Sequence, residues 1–174
     1  MSDRDFRIRR LRTGDAARYR ALRLEGLRDS PEAFGSSFEE EAAMPPDWFA
    51  ARLEAGFVLC GEAGQGSGIV GLRFEDGVKT RHKAGIHGMF VQPAARGSGL
   101  AAALLRHAIG HARGKVEDVN LAVTANNLPA LRLYERAGFR AYGAEPRALK
   151  IGGAYFDEVL MTLRLLPIAA PSPT

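Results

Sequence analysis

Arg96-Gly97-Ser98-Gly99 lies between an apolar stretch ending at Val91-Gln92-Pro93 and a strongly helix-forming run from Leu100 to His111. A glycine-rich turn that feeds straight into a helix leaves several backbone N–H groups without acceptors and directs them outward. Those donors and the positive end of the helix dipole favour an anion, above all a phosphate or pyrophosphate. Glycine is needed where a Cβ would block close backbone approach or resist a positive φ. The spacing therefore predicts a grip on a phosphorylated ligand.

Two common phosphate loops fit poorly. The Walker loop requires Gly-Lys followed by Ser or Thr, and no such triplet occurs. The dinucleotide fingerprint G-x-G-x-x-G is met only with Ala102 at its third glycine, with an acid at Glu117 or Asp118 about 20 residues on. That loop normally opens its domain, whereas about half of this chain precedes Gly97. The pattern that does fit is Arg/Gln-x-x-Gly-x-Gly/Ala, met by Arg96-Gly97-Ser98-Gly99-Leu100-Ala101.

This loop resembles the pyrophosphate loop of the GCN5-related N-acetyltransferase (GNAT) superfamily, which binds acetyl-coenzyme A. A second block strengthens the likeness. Asn127-Leu128-Pro129-Ala130-Leu131-Arg132-Leu133-Tyr134-Glu135-Arg136-Ala137-Gly138-Phe139 is similar to the family's Asn-x-x-Ala-x-x-Leu-Tyr-x-x-x-Gly-Phe helix. With their neighbouring strands the two blocks span residues 84–165, about half the chain.

The resemblance implies a site and a reaction. The two central parallel strands would splay, and the pantetheine arm would pair with backbone groups of Met89, Phe90 and Val91. Arg96 and the N–H groups of Gly97, Ser98, Gly99, Leu100, Ala101 and Ala102 would hold the pyrophosphate. Asn127 would hydrogen-bond the pantetheine or its phosphate end, and Tyr134 would be the acid for the departing thiolate. The reaction implied is direct attack of a primary amine, on a small molecule or peptide, on the acetyl thioester in a ternary complex, with no metal. A non-catalytic acyl-CoA-binding sensor is the alternative.

Such chemistry draws most of its acceleration from holding amine and carbonyl in line. A backbone N–H near Phe90 can stabilise the oxyanion. By helical spacing alone, Tyr134 shares a face with Ala130, Leu133 and Ala137 and reads as a core tyrosine; the flanking Asn127 and Gly138-Phe139 favour the catalytic role. The base is less legible. The fifth strand, Asn120-Leu121-Ala122-Val123-Thr124, carries no acid. On the fourth, His87 is the titratable group, expected on one strand face with Met89 and Val91 and equally compatible with a structural role. Glu39, Glu40, Glu41 and Glu75 are the other candidates. The pair His107 and His111 has metal-seating spacing but lacks the glutamate of H-E-x-x-H and an evident third ligand.

Composition bounds the rest. The chain of 174 residues, 46% hydrophobic and 25% charged, suits one globular domain, expected over 1–166, with the proline-rich 167–174 as a disordered tail. No apolar run approaches the ~18 residues a bilayer span needs, and residues 1–5 lack a signal's apolar core. A cytoplasmic monomer or homodimer, working on acetyl-CoA and an amine away from membranes, is the expectation. Lone Cys60 reads as a buried apolar residue. Nine arginines in the first 28 residues contribute to a net charge of +4. They alternate with apolar residues and have no aromatic stacking set, so they read as a solvated face partnered by Asp15, Glu25 and Asp29 rather than as a nucleic-acid patch.

Periodicity supplies the elements: strands at 6–11, 57–63, 69–75, 86–92, 119–123, 140–143 and 155–165. Helices are expected at about 15–27, 31–43, 48–55, 100–111 and 129–137. In sum, the chain is expected to form a mixed α/β sheet of six or seven strands with about four main helices. The N-terminal part would be antiparallel, with a parallel pair at the centre. The acceptor pocket is expected from the first two helices, the basic turn 79–83 and the hairpin around Gly152.

Overall fold

A computed structural model describes residues 6–165. Seven strands form one sheet: β1 (Arg7–Arg10), β2 (Phe57–Ala63), β3 (Gly66–Phe74), β4 (Lys83–Val91), β5 (Asp118–Thr124), β6 (Arg140–Ile151) and β7 (Ala154–Arg164). Their order is β1-β2-β3-β4-β5-β7-β6. All neighbouring pairs are antiparallel except β4 and β5. The helices are α1 (Ala16–Asp29), α2 (Phe38–Ala42), α3 (Pro46–Ala55), α4 (Leu100–Ala112) and α5 (Leu128–Arg136). The expected tail at 167–174 falls outside the described residues.

Helix α4 is the crossover that makes β4 and β5 parallel, since a chain leaving one end of a sheet must return before pairing in the same direction. It buries Leu100, Ala103, Leu104, Leu105, Ala108, Ile109 and Ala112 against one sheet face, while Ala101, beside the loop, is only half-buried. Each fully buried leucine there contributes ~1.5–3 kcal/mol of apolar transfer. The opposite sheet face packs a second core, built from Tyr19, Leu22 and Leu27 of α1 and Phe49 and Leu53 of α3. Cys60 lies in this core, and burial pushes its thiol up in pKa, away from reactivity.

The segment 31–43 departs from a single helix. Pro31–Ala33 forms one 3-10 turn, Phe34 is extended, and α2 begins only after Ser37. Ser37 caps α2 by accepting from the Glu40 N–H, and Glu40 returns the bond to the Ser37 N–H. The result leaves Glu41 inward rather than solvated. Its carboxylate accepts from Arg23 Nε at 2.9 Å and Nη2 at 2.7 Å, and from Ser36 Oγ at 2.6 Å. Both partners of this pair are at most 5% exposed. Burial raises the Glu41 pKa, but the bonds from Arg23 and Ser36 outweigh it and hold the group ionised. Glu41→Ala should therefore cost about 3–5 kcal/mol of stability by stranding a buried guanidinium, read as a lower urea midpoint. Replacing both partners with apolar residues should cost less.

The N-terminal arginines are largely engaged within the fold. Arg9 pairs with Asp15, Arg18 with Glu62, and Arg10 and Arg20 donate to the carbonyls of Gly56 and Ala42. Of the other expected local partners, Glu25 accepts from Gln92 Nε2 and Asp29 pairs with Arg96. No helix among the described residues is long and apolar enough to cross a membrane.

Candidate active site

The parallel ladder between β4 and β5 is short. It pairs Lys83 with Asp118, Ala84 with Val119 and Gly85 with Asn120, and then stops. Beyond Gly85 the strands diverge, with β4 still held by β3 and β5 by β7. The fork thus leaves strand edges at 86–91 and 121–124 facing a gap. Its far wall is α5, and its floor opens toward the loop before α4.

A bulge in β4 sets which side chains reach the fork. Ile69 pairs with Phe90 and Gly71 with His87, so β4 carries one extra residue between the pairs. Gly88 supplies the required backbone at φ 59°, and a Cβ there would lie 3.1 Å from Arg23 Nη1. The extra residue reverses the alternation. Ile86 and, past the bulge, Met89 and Val91 pack on the α4 side, whereas Phe90 belongs to the core under α1 and α3. His87 accordingly lies on the face opposite Met89 and Val91, which corrects the single face expected from plain alternation. Its ring covers Gly71, where any Cβ would overlap it. Burial, reinforced by Arg52, Arg23 and Arg73, lowers the His87 pKa to about 4.

The loop before α4 has the predicted form. Gly97 and Gly99 hold φ of 74° and 94°, left-handed values that disfavour any side chain. The first bond within α4 runs from the Ala103 N–H to the Gly99 carbonyl at 3.1 Å. The N–H groups of Ala101 and Ala102 thus lack an intrahelical acceptor, and that of Leu100 donates to Ser98 Oγ at 3.2 Å. Ser98 Oγ itself donates to the Ala95 carbonyl at 2.7 Å, which braces the turn.

These elements enclose a cleft of about 800 Å³ lined by Met89, Phe90, Val91, Arg96, Gly97, Gly99, Leu100, Ala101, Ala102 and Asn127. Of the expected coenzyme residues only Ser98 is set back from it. The Arg96 side chain has another use. Its Nε donates to the Val91 carbonyl at 3.1 Å and its guanidinium pairs with Asp29, so it ties the loop to β4 and α1. Asn127 caps α5, with Oδ1 accepting from the Ala130 N–H at 3.2 Å, which leaves its amide N–H donors for a ligand. Arg132 and Arg136 also line the cleft. Their i, i+4 spacing in the sequence is the signal that could have found them.

At its inner end the cleft meets a cavity of about 90 Å³ lined by His87, Gly88, Met89, Thr124, Tyr134 and Glu158. Ala33, Met89, Asn127, Ala130 and Leu133 border both spaces. Tyr134 is 6% exposed, and burial pushes its phenol pKa up to about 12. Its position is fixed by the helix end: Gly138 N–H donates to the Glu135 carbonyl and Phe139 N–H to the Tyr134 carbonyl, a Schellman closure. The Phe139 ring folds back edge-on to Tyr134 at 5.9 Å between centroids.

The other candidate acids sit elsewhere. Glu41 is locked to Arg23, Glu40 caps α2, and Glu75 pairs with Arg73 at 3.7 Å. His111 stacks on Phe57 at 3.6 Å between centroids, and no group of three metal-ligating side chains is gathered among the described residues. A second groove of about 820 Å³ runs between the α1–α2 connection and the β6–β7 hairpin, lined by Phe34, Phe38, Glu39, Lys150 and Gly152. The basic turn is not part of it. Thr80 and Lys83 instead border a hollow on the sheet face with Arg73, Asn120 and Tyr142.

A seven-stranded sheet forked at its one parallel pair, with a glycine loop feeding the helix beside the fork, is the architecture of the GNAT fold. The model of the acetyltransferase (GNAT) family matches residues 22–139, and the chain belongs to that family. It is 32% identical over 127 residues to a mycothiol acetyltransferase of Kineococcus radiotolerans, covering 72% of this chain and 39% of that one. It is 35% identical over 95 residues to an uncharacterised N-acetyltransferase of Methanocaldococcus jannaschii, covering 53% of this chain and 42% of that one. The chain thus spans about two fifths of the length of the curated relatives it matches. Among solved structures, a GNAT acetyltransferase of Streptococcus pneumoniae shares the fold with a TM-score of 0.78 at 22% identity, covering 92% of this chain and 99% of that one. A putative acetyltransferase of Salmonella typhimurium, solved with acetyl-CoA, does so at 0.76 and 21% identity, covering 98% and 99%.

Proposed function

We propose that the protein is an acetyl-CoA-dependent N-acetyltransferase that transfers the acetyl group directly to a primary amine. The observation that carries this reading is the fork. A ladder that stops at Gly85 and Asn120 opens a slot from the phosphate-binding loop to a buried tyrosine. A long ligand with a pyrophosphate at one end and a reactive thioester at the other matches that layout.

In this reading the N–H groups of Gly97, Ser98, Gly99, Ala101 and Ala102 bind the pyrophosphate, helped by the α4 dipole, while that of Leu100 stays on Ser98 Oγ. Arg132 and Arg136 add positive charge beside the phosphates. Met89 and Phe90 offer backbone to the pantetheine arm, while the Val91 carbonyl is already taken by Arg96. A backbone N–H near Phe90 receives the developing oxyanion. The Tyr134 phenol, with its pKa near 12, enters each cycle protonated and meets the sulfur as the carbon–sulfur bond breaks.

Incubation with acetyl-CoA and a panel of polyamines, aminoglycosides, amino acids and peptides tests the proposal. Thiol release should match N-acetylated product mole for mole for at least one amine. Tight coenzyme binding without turnover on any of them would instead leave an acyl-CoA-binding module.

A further inference from the structure

We propose that Glu158 receives the acceptor's ammonium group in the fork and takes its proton. This rests on the acetyltransferase reading above, and it adds the base that the fourth and fifth strands lack.

The fork passes through the sheet, and its two sides differ in chemistry. Val159, Met161 and Leu163 of β7 pack in the same core as Tyr134. By strand alternation, Glu158 projects to the opposite face. Yet Tyr134 and Glu158 line the same small cavity. Tyr134 therefore closes it from the α5 side and Glu158 from the other. Among the described residues no hydrogen-bond partner holds the Tyr134 hydroxyl, although the ring is 6% exposed. A thioester carbonyl held between them would have its leaving sulfur toward the phenol and its open face toward the carboxylate. That is the placement an in-line amine attack requires.

The surroundings of Glu158 suit a cation. Its ladder partner on β6 is Glu145, and like charges placed directly opposite are unfavourable unless something positive lies between them. Burial first, and then Glu145, raises the Glu158 pKa, moving it toward the working range of a general base. On β5 its neighbour is Thr124, whose hydroxyl donates to the Glu32 carbonyl at 3.2 Å. The remaining titratable groups of the cavity are Tyr134 and His87. His87 is the poorer choice, because burial first, and then Arg52, Arg23 and Arg73, lower its pKa, and the three arginines would repel an ammonium. Ile86 and Ala122 border both this cavity and the hollow on the sheet face, which gives an entrance on the side away from the coenzyme cleft.

The protons balance. Glu158 takes one proton from the ammonium and passes it to solvent. The freed nitrogen pair forms the carbon–nitrogen bond as the carbonyl pair moves onto oxygen. On collapse the carbon–sulfur bond breaks, sulfur keeps the pair, and Tyr134 protonates it. The second nitrogen proton returns to Tyr134 through water, leaving the amide, the free thiol and one released proton.

The test uses Glu158→Gln and Glu158→Asp, with 2-phenylethylamine, spermidine and glycinamide as acceptors and calorimetry for acetyl-CoA. Wild-type turnover with normal coenzyme binding upholds the acetyltransferase reading on its own. Glu158→Gln should then keep the coenzyme Kd and lose ~10²–10⁴-fold in kcat/KM, the range of one positioned base. Its activity should climb with pH as the free amine forms, and Glu158→Asp should recover part of the loss. Near-wild-type activity in Glu158→Gln overturns the proposal, as does a pH limb lost in His87→Gln but kept in Glu158→Gln. If none of the amines turns over, the Glu158 side-chain carboxyl resonance, assigned by its absence in Glu158→Gln, supplies the reading. It should shift when amine is added to the coenzyme A complex, and no shift with any of the three overturns the proposal.

Discussion

Gly99→Asp should bind acetyl-CoA ~10²-fold or more weakly than the wild type while the fold persists. Two effects add. Gly99 sits at φ 94°, where a side chain costs roughly 1–2 kcal/mol. The new carboxylate would also stand at the positive end of α4, where the pyrophosphate is expected. Two like charges a few ångströms apart near a protein surface repel by several kcal/mol, about 4 at 4 Å. Since ~1.4 kcal/mol is a tenfold change, even part of that repulsion exceeds two decades. Gly99→Ala keeps the strain and removes the charge, so it should fall between the two. Calorimetry reads both, and circular dichroism confirms that α4 survives. Wild-type affinity in a folded Gly99→Asp protein would move the coenzyme off this loop.

The second large effect is on rate. Tyr134→Phe removes one hydroxyl and keeps the ring that packs on Phe139. Coenzyme Kd and thermal midpoint should barely move, while kcat falls ~10²–10⁴-fold. A loss in kcat and kcat/KM together, with Kd unchanged, marks an interaction made in the transition state. The pKa near 12 adds a further expectation: wild-type activity should show no alkaline fall from this phenol until well above pH 10. A tyrosine serving only the core would show the reverse pattern, with lower stability and weaker coenzyme binding but an intact rate. Full activity in Tyr134→Phe would leave water as the proton donor.

The residues that could be read from sequence are those whose role is local. Gly97 and Gly99 announce a backbone that needs positive φ, and the apolar stripe of α4 announces the face it buries. The Gly138-Phe139 pair announces a helix end, because a Schellman turn is closed by its own segment. The parallel pair followed from a strand, a helix and a strand in succession.

What was missed depended on distant partners or on one residue's shift. Segment 31–43 reads as one helix from its own residues, but Ser37 caps a new start and Glu41 turns inward to Arg23, 18 positions earlier. Plain alternation puts His87 on the face of Met89 and Val91, but a single bulge reverses it, and Gly88 is its only local sign. The strand at 140–143 proved to run Arg140–Ile151, since an exposed edge strand with its own register shift has no clean apolar alternation to display. Glu158 and Glu145 are far from the loop in sequence, and only the β5-β7-β6 order brings Glu158 to the fork.

A crystal structure of the acetyl-CoA complex would show whether the coenzyme occupies the fork. The expected structure has the pyrophosphate on the N–H groups of the 97–102 loop and the pantetheine arm in the gap beyond Gly85 and Asn120. The sulfur should lie within hydrogen-bonding reach of the Tyr134 hydroxyl. Coenzyme bound away from the fork, or a β4–β5 ladder that continues through Met89–Val91 and excludes the arm, would contradict it.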